Sequence, residues 1–279
     1  MKIAVLADIH GNLPALQTVV AHIDQWHPDE VVVAGDVVNR GPRPLECLQI
    51  IEEKKRRAGW LVVRGNHEDY VINHTRPKAP RSGPEFEIYR TSYWTLNQLD
   101  GQVGSLKDMP FQISLRAPDG GEIRTVHASM RNNRDGIFPD TTDEYLRQQI
   151  APPAAALCVG HTHQALIRFI DDTLVVNVGS VGMPFDGDNR AAYAQLTWHN
   201  SQLLANIIRL EYDNDQMDRD FFETGFAPEA GALTSLMLVE FRHARPYLHL
   251  WMRRYQEPVL SGEISIGNAV DAFIASLGS

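Results

Sequence analysis

Five short polar motifs constrain this chain most, because each one directly follows an apolar run of β-forming residues. The motifs are Asp8-Ile9-His10, Gly35-Asp36, Gly65-Asn66-His67-Glu68, His127 and Gly160-His161-Thr162-His163. Apolar runs that stop at polar residues are typical of buried strands in an α/β fold. Because the strand ends offer mainly Asp, Asn and His, we expect them to meet at one edge of a sheet and form a metal site.

The first 70 residues alternate between strand and helix patterns. Strand patterns occupy residues 2–7, 30–34 and 60–63, and helical patterns occupy residues 13–26 and 44–57. This alternation predicts parallel strands joined by right-handed crossovers. Ligands of such sheets bind outside the carboxyl ends of the strands, which is where the polar motifs fall.

From residue 111 onward the chain is rich in strand patterns. These patterns cover residues 111–117, 121–127, 155–160, 165–170, 173–177, 191–197 and 203–210. They predict a second sheet packed against the first, with hairpin turns at residues 118–121 and 171–172.

Two further segments lie outside this strand pattern. Residues of about 74–100 form a loop followed by a helix, and we expect this insert to lie over the mouth of the site because it directly follows His67. Residues 233–255 are helical, with a break expected at Pro246. We therefore predict a catalytic domain over residues 1–210 and a C-terminal helical extension over residues 211–279, packed on it and able to form a homodimer.

Composition limits the partners of this protein. The 279 residues carry a formal net charge of −9, which argues against nucleic acid, since its binding requires a basic surface. A phosphorylated substrate is compatible with this charge, because metal ions can reverse its sign locally. Neither a signal peptide nor an apolar stretch of roughly 18 residues is present, so we expect no membrane contact and a cytoplasmic location. Cys47 and Cys158 are expected to be buried thiols.

The ligand types of the five motifs indicate the metal chemistry. Histidine, carboxylate and amide oxygen without a thiolate suit borderline-hard divalent or trivalent ions. The candidate ligands are Asp8, His10, Asp36, Asn66, His127, His161 and His163. This set exceeds the needs of one ion and fits two ions that share a carboxylate, which indicates hydrolysis of a phosphate ester. The i, i+2 spacing in the first and last motifs predicts that both side chains lie on one side of an extended strand.

In this order, the five motifs resemble those of the calcineurin-like metallophosphoesterase superfamily, over about residues 1–200. Residues 178–196 resemble the small prokaryotic branch, whereas residues 35–41 and 63–68 resemble the protein-phosphatase and dinucleoside-tetraphosphatase branches. The resemblance implies a four-layer α/β/β/α sandwich of two mixed sheets flanked by helices. It also implies two divalent or mixed-valence metal ions, drawn from Mn, Fe, Zn, Co or Ni.

The resemblance also implies a role for each motif residue. Asp8, His10 and His163 would hold the first ion, Asp36 would bridge both ions, and Asn66, His127 and His161 would complete the second. The expected nucleophile is a metal-bridging hydroxide. His67 would donate a proton to the leaving oxygen, with Glu68 or Asp36 orienting its ring. Arg40 and Arg64 would hold the phosphoryl oxygens through their planar guanidinium groups.

We therefore predict a dinuclear metal-dependent phosphoesterase that hydrolyses small phosphomonoesters or phosphodiesters. Three other functions stay open at this point. Residues 39–42 support a dinucleoside-polyphosphate or protein phosphatase, and the basic residues between 76 and 81 leave a nuclease open despite the negative net charge. The third is a catalytically silent interaction module with the same fold.

Overall fold

The computed structural model describes residues 1–199 and 202–278. In this part of the chain the strands are β1 (Lys2–Leu6), β2 (Glu30–Val33), β3 (Leu61–Val62), β4 (Gln112–Arg116), β5 (Glu122–Val126), β6 (Ala156–Val159), β7 (Leu166–Ile170), β8 (Thr173–Asn177), β9 (Ala191–His199) and β10 (Gln202–Leu210). The helices are α1 (Leu13–Trp26), α2 (Pro44–Ala58), α3 (Asn66–Asn73), α4 (Pro84–Ile88), α5 (Arg90–Gln98), α6 (Gly104–Lys107), α7 (Asp143–Ile150), α8 (Asn214–Glu223), α9 (Phe226–Glu229), α10 (Leu233–His243), α11 (Tyr247–Leu260) and α12 (Ile266–Leu277).

The first sheet has the strand order β10-β9-β1-β2-β3. Strand β1 pairs in parallel with β2 and antiparallel with β9, so that Ile3 lies opposite both Glu30 and Leu196. The sequence prediction that β9 and β10 belong to the second sheet is wrong. The free edge of β1 accepts β9 instead, and the ladder continues to the Trp198 N–H, which donates to the carbonyl of Met1 at 2.8 Å.

The second sheet has the order β4-β5-β6-β8-β7. Its three central strands are parallel, and β4 and β7 pair antiparallel at the two edges. The turns that join β4 to β5 and β7 to β8 fall at residues 117–121 and 171–172, as predicted from the sequence. Both sheets are therefore mixed, in agreement with the prediction.

Three apolar layers fill the spaces on and between the sheets. Val5 and Val32 of the first sheet pack with Cys158 and Val176 of the second. The outer face of the first sheet packs against α1, α2 and α5, while α7 packs through Leu146 on the outer face of the second sheet. Strands that are apolar on both faces require such covering layers. The predicted four-layer α/β/β/α arrangement is thus confirmed.

The C-terminal helices belong to the same apolar core as α1 and α5. Phe226 packs its ring against Trp94 of α5, with 4.9 Å between ring centroids, and Trp251 of α11 is fully buried. The expected break at Pro246 is present, because α10 ends at His243 and α11 begins after the proline. The domain boundary at residue 210 and a homodimer through these helices stay predictions, and Ser279 lies outside the described residues.

The insert after His67 differs from its prediction in detail. The single helix expected over residues 85–99 is two helices, α4 and α5, which are separated at Tyr89. Within the described part of the chain, every helix is too short or too polar to cross a membrane.

Glu240 joins α10 to α11 through a buried carboxylate. Its Oε1 atom accepts a hydrogen bond from the Leu248 N–H at 2.6 Å, whereas its Oε2 atom is buried without a hydrogen-bond partner in the described residues. Burial is the largest influence and raises the pKa of Glu240 to about 7, although the charge of Arg40 works in the opposite direction. The ionised form of this carboxyl is therefore unfavourable in the folded protein.

This burial predicts how the Glu240→Gln variant responds to pH. The ordinary pKa of 4.5 lies below the folded value of about 7, so the folded protein binds more protons than the unfolded chain between these values. The free energy of unfolding of the wild type should consequently fall as pH rises through this window, whereas the uncharged amide of the variant contributes no pH dependence. We expect the free energy of unfolding of the variant, relative to that of the wild type, to rise by about 2–3 kcal/mol between pH 5 and pH 8. Urea unfolding at these two pH values measures this change.

The matched control is Glu257→Gln, which removes an exposed carboxylate from α11. This variant should keep the pH dependence of the wild type. An identical pH dependence in the Glu240→Gln variant would show that Glu240 does not titrate in this range.

Candidate metal centre

The predicted ligands lie just beyond the carboxyl ends of five strands, where the two sheets meet. Asp8 and His10 follow β1, Asp36 follows β2, Asn66 opens α3 after β3, His127 follows β5, and His161 and His163 follow β6. Apart from the partly exposed His161, their side chains are buried. The structure thus brings all seven predicted ligands together.

A left-handed backbone turns these side chains toward one another. Five of the ligands have positive φ angles: Asp8 (55°), His10 (49°), Asp36 (55°), His161 (67°) and His163 (57°). Residues other than glycine rarely adopt this conformation, which costs of order 1–3 kcal/mol each at a strained site. The i, i+2 pairs therefore converge because the chain turns after each strand, and not through strand pleating as the sequence had suggested.

Each of the two aspartates uses one oxygen for a backbone hydrogen bond and turns the other toward the histidines. Asp8 Oδ2 accepts from the His161 N–H at 2.8 Å, and Asp36 Oδ1 accepts from the His67 N–H at 2.8 Å. Asp8 Oδ1 is buried without a hydrogen-bond partner in the described residues. Asp36 Oδ2 lies 3.2 Å from His127 Nε2 and 3.7 Å from His10 Nε2, between the two groups of ligands.

Glycine is required where the backbone passes these carboxylates. A Cβ atom on Gly65 would lie 2.0 Å from Asp36 Oδ1, and one on Gly160 would lie 2.5 Å from Asp8 Oδ2. Both distances are far below van der Waals contact, so any side chain here would displace a ligand.

The four clustered histidines each turn one ring nitrogen to a backbone carbonyl. The pairs are His10 Nδ1 with Asn39 O at 3.3 Å, His127 Nδ1 with Ala34 O at 2.7 Å, His161 Nε2 with Arg134 O at 3.1 Å, and His163 Nδ1 with Met183 O. A carbonyl oxygen can only accept, so the nitrogen that faces it carries the proton. In the neutral form of each ring the other nitrogen presents a lone pair to the cluster, as in histidines that bind metal.

These donor atoms fit a cation. The ligand atoms of Asp8, His10 and His163 lie within 4.8 Å of one another, as do those of Asp36, His127 and His161. Two lone pairs, on His10 Nε2 and His163 Nε2, face each other at 3.2 Å, and a cation between them would remove their repulsion. Asn66 Oδ1 adds an oxygen 2.9 Å from His127 Nε2. Mixed nitrogen and oxygen donors of this kind suit borderline divalent ions.

The pKa values of the histidines describe the cluster without a cation. Burial lowers the pKa of His10 and lowers that of His161 to about 3, with further lowering by neighbouring histidines. Burial also disfavours the charged form of His127, but the charge of Asp36 outweighs it and raises the pKa of His127 to about 10. A metal ion bound here would replace the His127 proton, because only neutral imidazole is a ligand.

Glu68 acts on the backbone and does not contact the ring of His67. Its two oxygens accept hydrogen bonds from four backbone N–H groups, those of Gly65 (2.8 Å), Asp36 (2.9 Å), Val37 (2.8 Å) and Val38 (3.3 Å). Burial and the charge of Asp36 raise the pKa of Glu68 to about 7, and the N–H donors oppose this shift. Glu68 therefore holds the chain after β2 against the start of α3.

Asn39 orients the ring of His67, in place of the Glu68 or Asp36 that the sequence had suggested. Its Nδ2 atom lies 2.8 Å from His67 Nδ1 and 2.9 Å from Ser92 Oγ, and its Oδ1 atom accepts from the Arg40 N–H at 2.9 Å. This pattern assigns the amide nitrogen as the donor, so His67 Nδ1 accepts and Nε2 carries the proton. The signal in the sequence that could have indicated this role of Asn39 is its position directly before Arg40, within the motif of residues 35–41.

The two predicted phosphate-binding arginines lie in different surroundings. Arg40 is half-buried, and its charge lowers the pKa values of His10 and His67, so it lies beside the cluster. Its guanidinium forms no ion pair with a described residue and contacts Met183 Sδ at 3.9 Å. Arg64 instead pairs with Asp69 at 3.3 Å outside the cluster.

The hydrogen bonds of Glu68 predict that Glu68→Gln destabilises the fold. The amide replaces one acceptor oxygen by a donor that faces backbone N–H groups, and each buried group left unpaired costs about 1–3 kcal/mol. Urea unfolding of protein treated with a chelator should show a loss of about 2–4 kcal/mol. Glu53→Gln, which alters an exposed ion pair on α2, is the control and should change stability by less than about 0.5 kcal/mol. Equal stabilities of the two variants would contradict this role of Glu68.

Comparison with known proteins agrees with the fold. The sequence profile of the calcineurin-like phosphoesterase superfamily domain matches residues 1–201. An uncharacterized protein of Methanocaldococcus jannaschii is 27% identical over 235 residues, which are 76% of this chain and 88% of that protein. A metallophosphoesterase from Sphaerobacter thermophilus superposes with a TM-score of 0.67 at 24% identity, over 88% of this chain and 100% of the other.

A shorter match concerns a relative whose name states an activity. A symmetrical bis(5'-nucleosyl)-tetraphosphatase of Actinobacillus pleuropneumoniae is 32% identical over 74 residues, which are 26% of each protein. The chain therefore spans only about a quarter of that relative. Since the profile covers most of the chain, from its first residue through β9, this protein belongs to the calcineurin-like phosphoesterase superfamily.

Proposed function

We propose that this protein is a dinuclear metal-dependent phosphoesterase that hydrolyses phosphomonoesters or phosphodiesters of small molecules. The position of Asp36 Oδ2 carries the proposal, since it lies between one ligand group around His10 and another around His127. Membership of a phosphoesterase superfamily supports hydrolysis as the reaction. The cytoplasm stays the expected location.

Two ions would divide the ligands between them. Asp8, His10 and His163 would hold one, Asn66, His127 and His161 the other, and Asp36 both. When bound, such ions would supply a water that ionises near neutral pH and positive charge for the phosphoryl oxygens. Their identity among Mn, Fe, Zn, Co and Ni depends on availability as much as on affinity.

Arg40 would bind the phosphoryl oxygens of the substrate. Its guanidinium lacks a carboxylate partner among the described residues and lies in the same cleft as His67. A planar guanidinium can donate two parallel hydrogen bonds to a phosphoryl group and stabilise the charge that develops on it.

His67 would act on the leaving oxygen. Asn39 fixes its ring with the proton on Nε2, and burial lowers the pKa of His67, so the ring is neutral at neutral pH. The Nε2–H can then donate a hydrogen bond to the leaving oxygen and stabilise the negative charge that develops there.

This role predicts that His67→Ala retains bound metal but loses turnover. A group that acts on the leaving oxygen commonly contributes 10²–10⁴-fold to the rate, so we expect a loss of about that size in kcat. The assay should follow metal-loaded protein together with metal analysis of the same sample. The control is His243→Ala, an exposed histidine at the end of α10. Unchanged kcat in the His67→Ala variant would remove His67 from the mechanism.

The bridging position of Asp36 yields a separate prediction. Asp36→Asn removes the charge that both ligand groups share, so the affinity for both ions should fall together. Metal content per chain, measured after dialysis at graded free metal concentrations, should drop from about two toward zero without a stable intermediate. Asp69→Asn, outside the cluster, is the control. Loss of only one ion per chain would contradict the shared role.

A direct test of the activity compares p-nitrophenyl phosphate with bis-p-nitrophenyl phosphate on manganese-loaded and metal-free protein. Metal-dependent hydrolysis of either compound supports the proposal, and the faster one identifies the ester class. Absence of hydrolysis in protein shown to contain both ions would favour the catalytically silent module.

A dinucleoside-polyphosphate phosphatase is the second candidate. The partial match to a tetraphosphatase and the motif around Arg40 favour it. Diadenosine tetraphosphate in the same assay should be hydrolysed with a kcat/KM well above that of both nitrophenyl esters if this candidate is correct.

A further inference from the structure

A cleft of about 390 Å³ opens directly beside His67. We call it the α5–α11 cleft. Its walls include Arg40 and His67 of the proposed site, Tyr89 before α5, and Met237, Leu248 and Arg253 on the C-terminal helices α10 and α11. This volume lies in the range of small-molecule sites. The C-terminal helices thus form one wall of a cavity that begins at the proposed catalytic residues.

The proposed role of His67 directs the leaving group toward this cleft. His67 lines it, and the proposed reaction has His67 Nε2–H donate to the leaving oxygen. The part of the substrate attached to that oxygen must therefore extend away from the metal ligands and past His67. The α5–α11 cleft is the space that opens there.

The lining of the cleft combines a set of apolar side chains with two arginines, Arg40 and Arg253. Ile88, Leu233, Met237 and Leu248 supply the apolar part, and no described residue of the lining is acidic. A compact organic group that buries apolar surface would fit between these side chains.

Arg253 is an unpaired cation in this lining. Its neighbours on α10 and α11 are engaged elsewhere, since Arg242 pairs with Asp218 at 2.8 Å and Arg254 lies 5.0 Å from the ring centroid of Tyr255. Arg253 has no hydrogen bond, ion pair or ring contact with any described residue. In a chain of net charge −9, a cation that forms no ion pair and lines a cleft without an acidic residue marks a position for a bound anion.

We propose that Arg253 binds a second anionic group, carried by the leaving group of the substrate. The inference rests on the proposed function and specifies its substrate class. The substrate is a phosphoester of a compact, partly apolar molecule that bears a phosphate or carboxylate at the end remote from the scissile bond. Arg40 then binds the phosphoryl group that is hydrolysed, and Arg253 selects the molecule that carries it.

The test compares substrates that share one alkyl phosphate and differ at the remote end. Hexyl phosphate, hexane-1,6-diyl bisphosphate and 6-phosphooxyhexanoate end in a methyl group, a phosphate and a carboxylate, and analogues of four to eight carbons vary the length. Manganese-loaded wild type should prefer an anionic end by about tenfold or more in kcat/KM, as expected for a charge-assisted hydrogen bond. The better of the two anionic series identifies the anion.

The variants assign this preference to one residue. Arg253→Gln should lower the ratio of kcat/KM between the anionic and methyl-ended substrates by about tenfold. The ratio is taken within each variant, so that a general loss of activity cancels. Arg254→Gln removes the adjacent charge on the same helix and should keep the ratio of the wild type.

Binding provides a readout that does not depend on turnover. Hexane-1,6-diyl bisphosphonate and hexylphosphonate resist hydrolysis, and calorimetry on metal-loaded and metal-free protein gives their affinities. The wild type and Arg254→Gln should bind the bisphosphonate more tightly than they bind hexylphosphonate. In Arg253→Gln the ratio of these two affinities should be about tenfold smaller.

The outcomes separate the inference from the proposed function. Hydrolysis without preference for an anionic end, or a preference that persists in Arg253→Gln, overturns the inference and leaves the phosphoesterase standing. Absence of hydrolysis together with Arg253-dependent binding of the bisphosphonate overturns the proposed reaction and retains the anion site. Absence of both overturns both.

Discussion

The carboxylate of Glu68 is the interaction on which the rest of the metal centre depends. It accepts four backbone hydrogen bonds and so joins the turn after β2 to the first residues of α3. Without it, these buried N–H groups would be unpaired, which proteins rarely tolerate. The same turn carries Asp36, and the same helix start carries Asn66 and His67, so one side chain sets the relative position of three proposed functional residues.

A second constraint is electrostatic. Buried carboxylates and imidazoles converge from both sheets, and in the metal-free protein a proton on His127 partly balances the charge of Asp36. Burying charged groups so close together is unfavourable unless each polar atom has a partner. Asp8 Oδ1 is buried and has no hydrogen-bond partner among the described residues. Any ion that binds here would for that reason also stabilise the folded state of this region.

The sequence predicted which polar residues come together at the sheet edge, and it missed the contacts that support them. Asp8, His10 and the other ligands were found because a polar residue after an apolar run is a local pattern. The pairing of β9 with β1 was missed, since alternation along a strand does not identify the edge it joins. The bond from Asn39 to His67 and the backbone contacts of Glu68 also escaped, because they depend on residues 28 to 32 positions apart coming together in three dimensions.

The α5–α11 cleft has a consequence for how this protein can diversify. The proposed reacting groups all lie between residues 8 and 163, whereas Leu248 and Arg253 stand on a helix near the other end of the chain. One wall of the proposed recognition cleft is therefore encoded far from the reacting groups. Substitutions on this wall would change which leaving group fits without disturbing a proposed ion ligand, so relatives with the same reaction could diverge in substrate through the C-terminal helices.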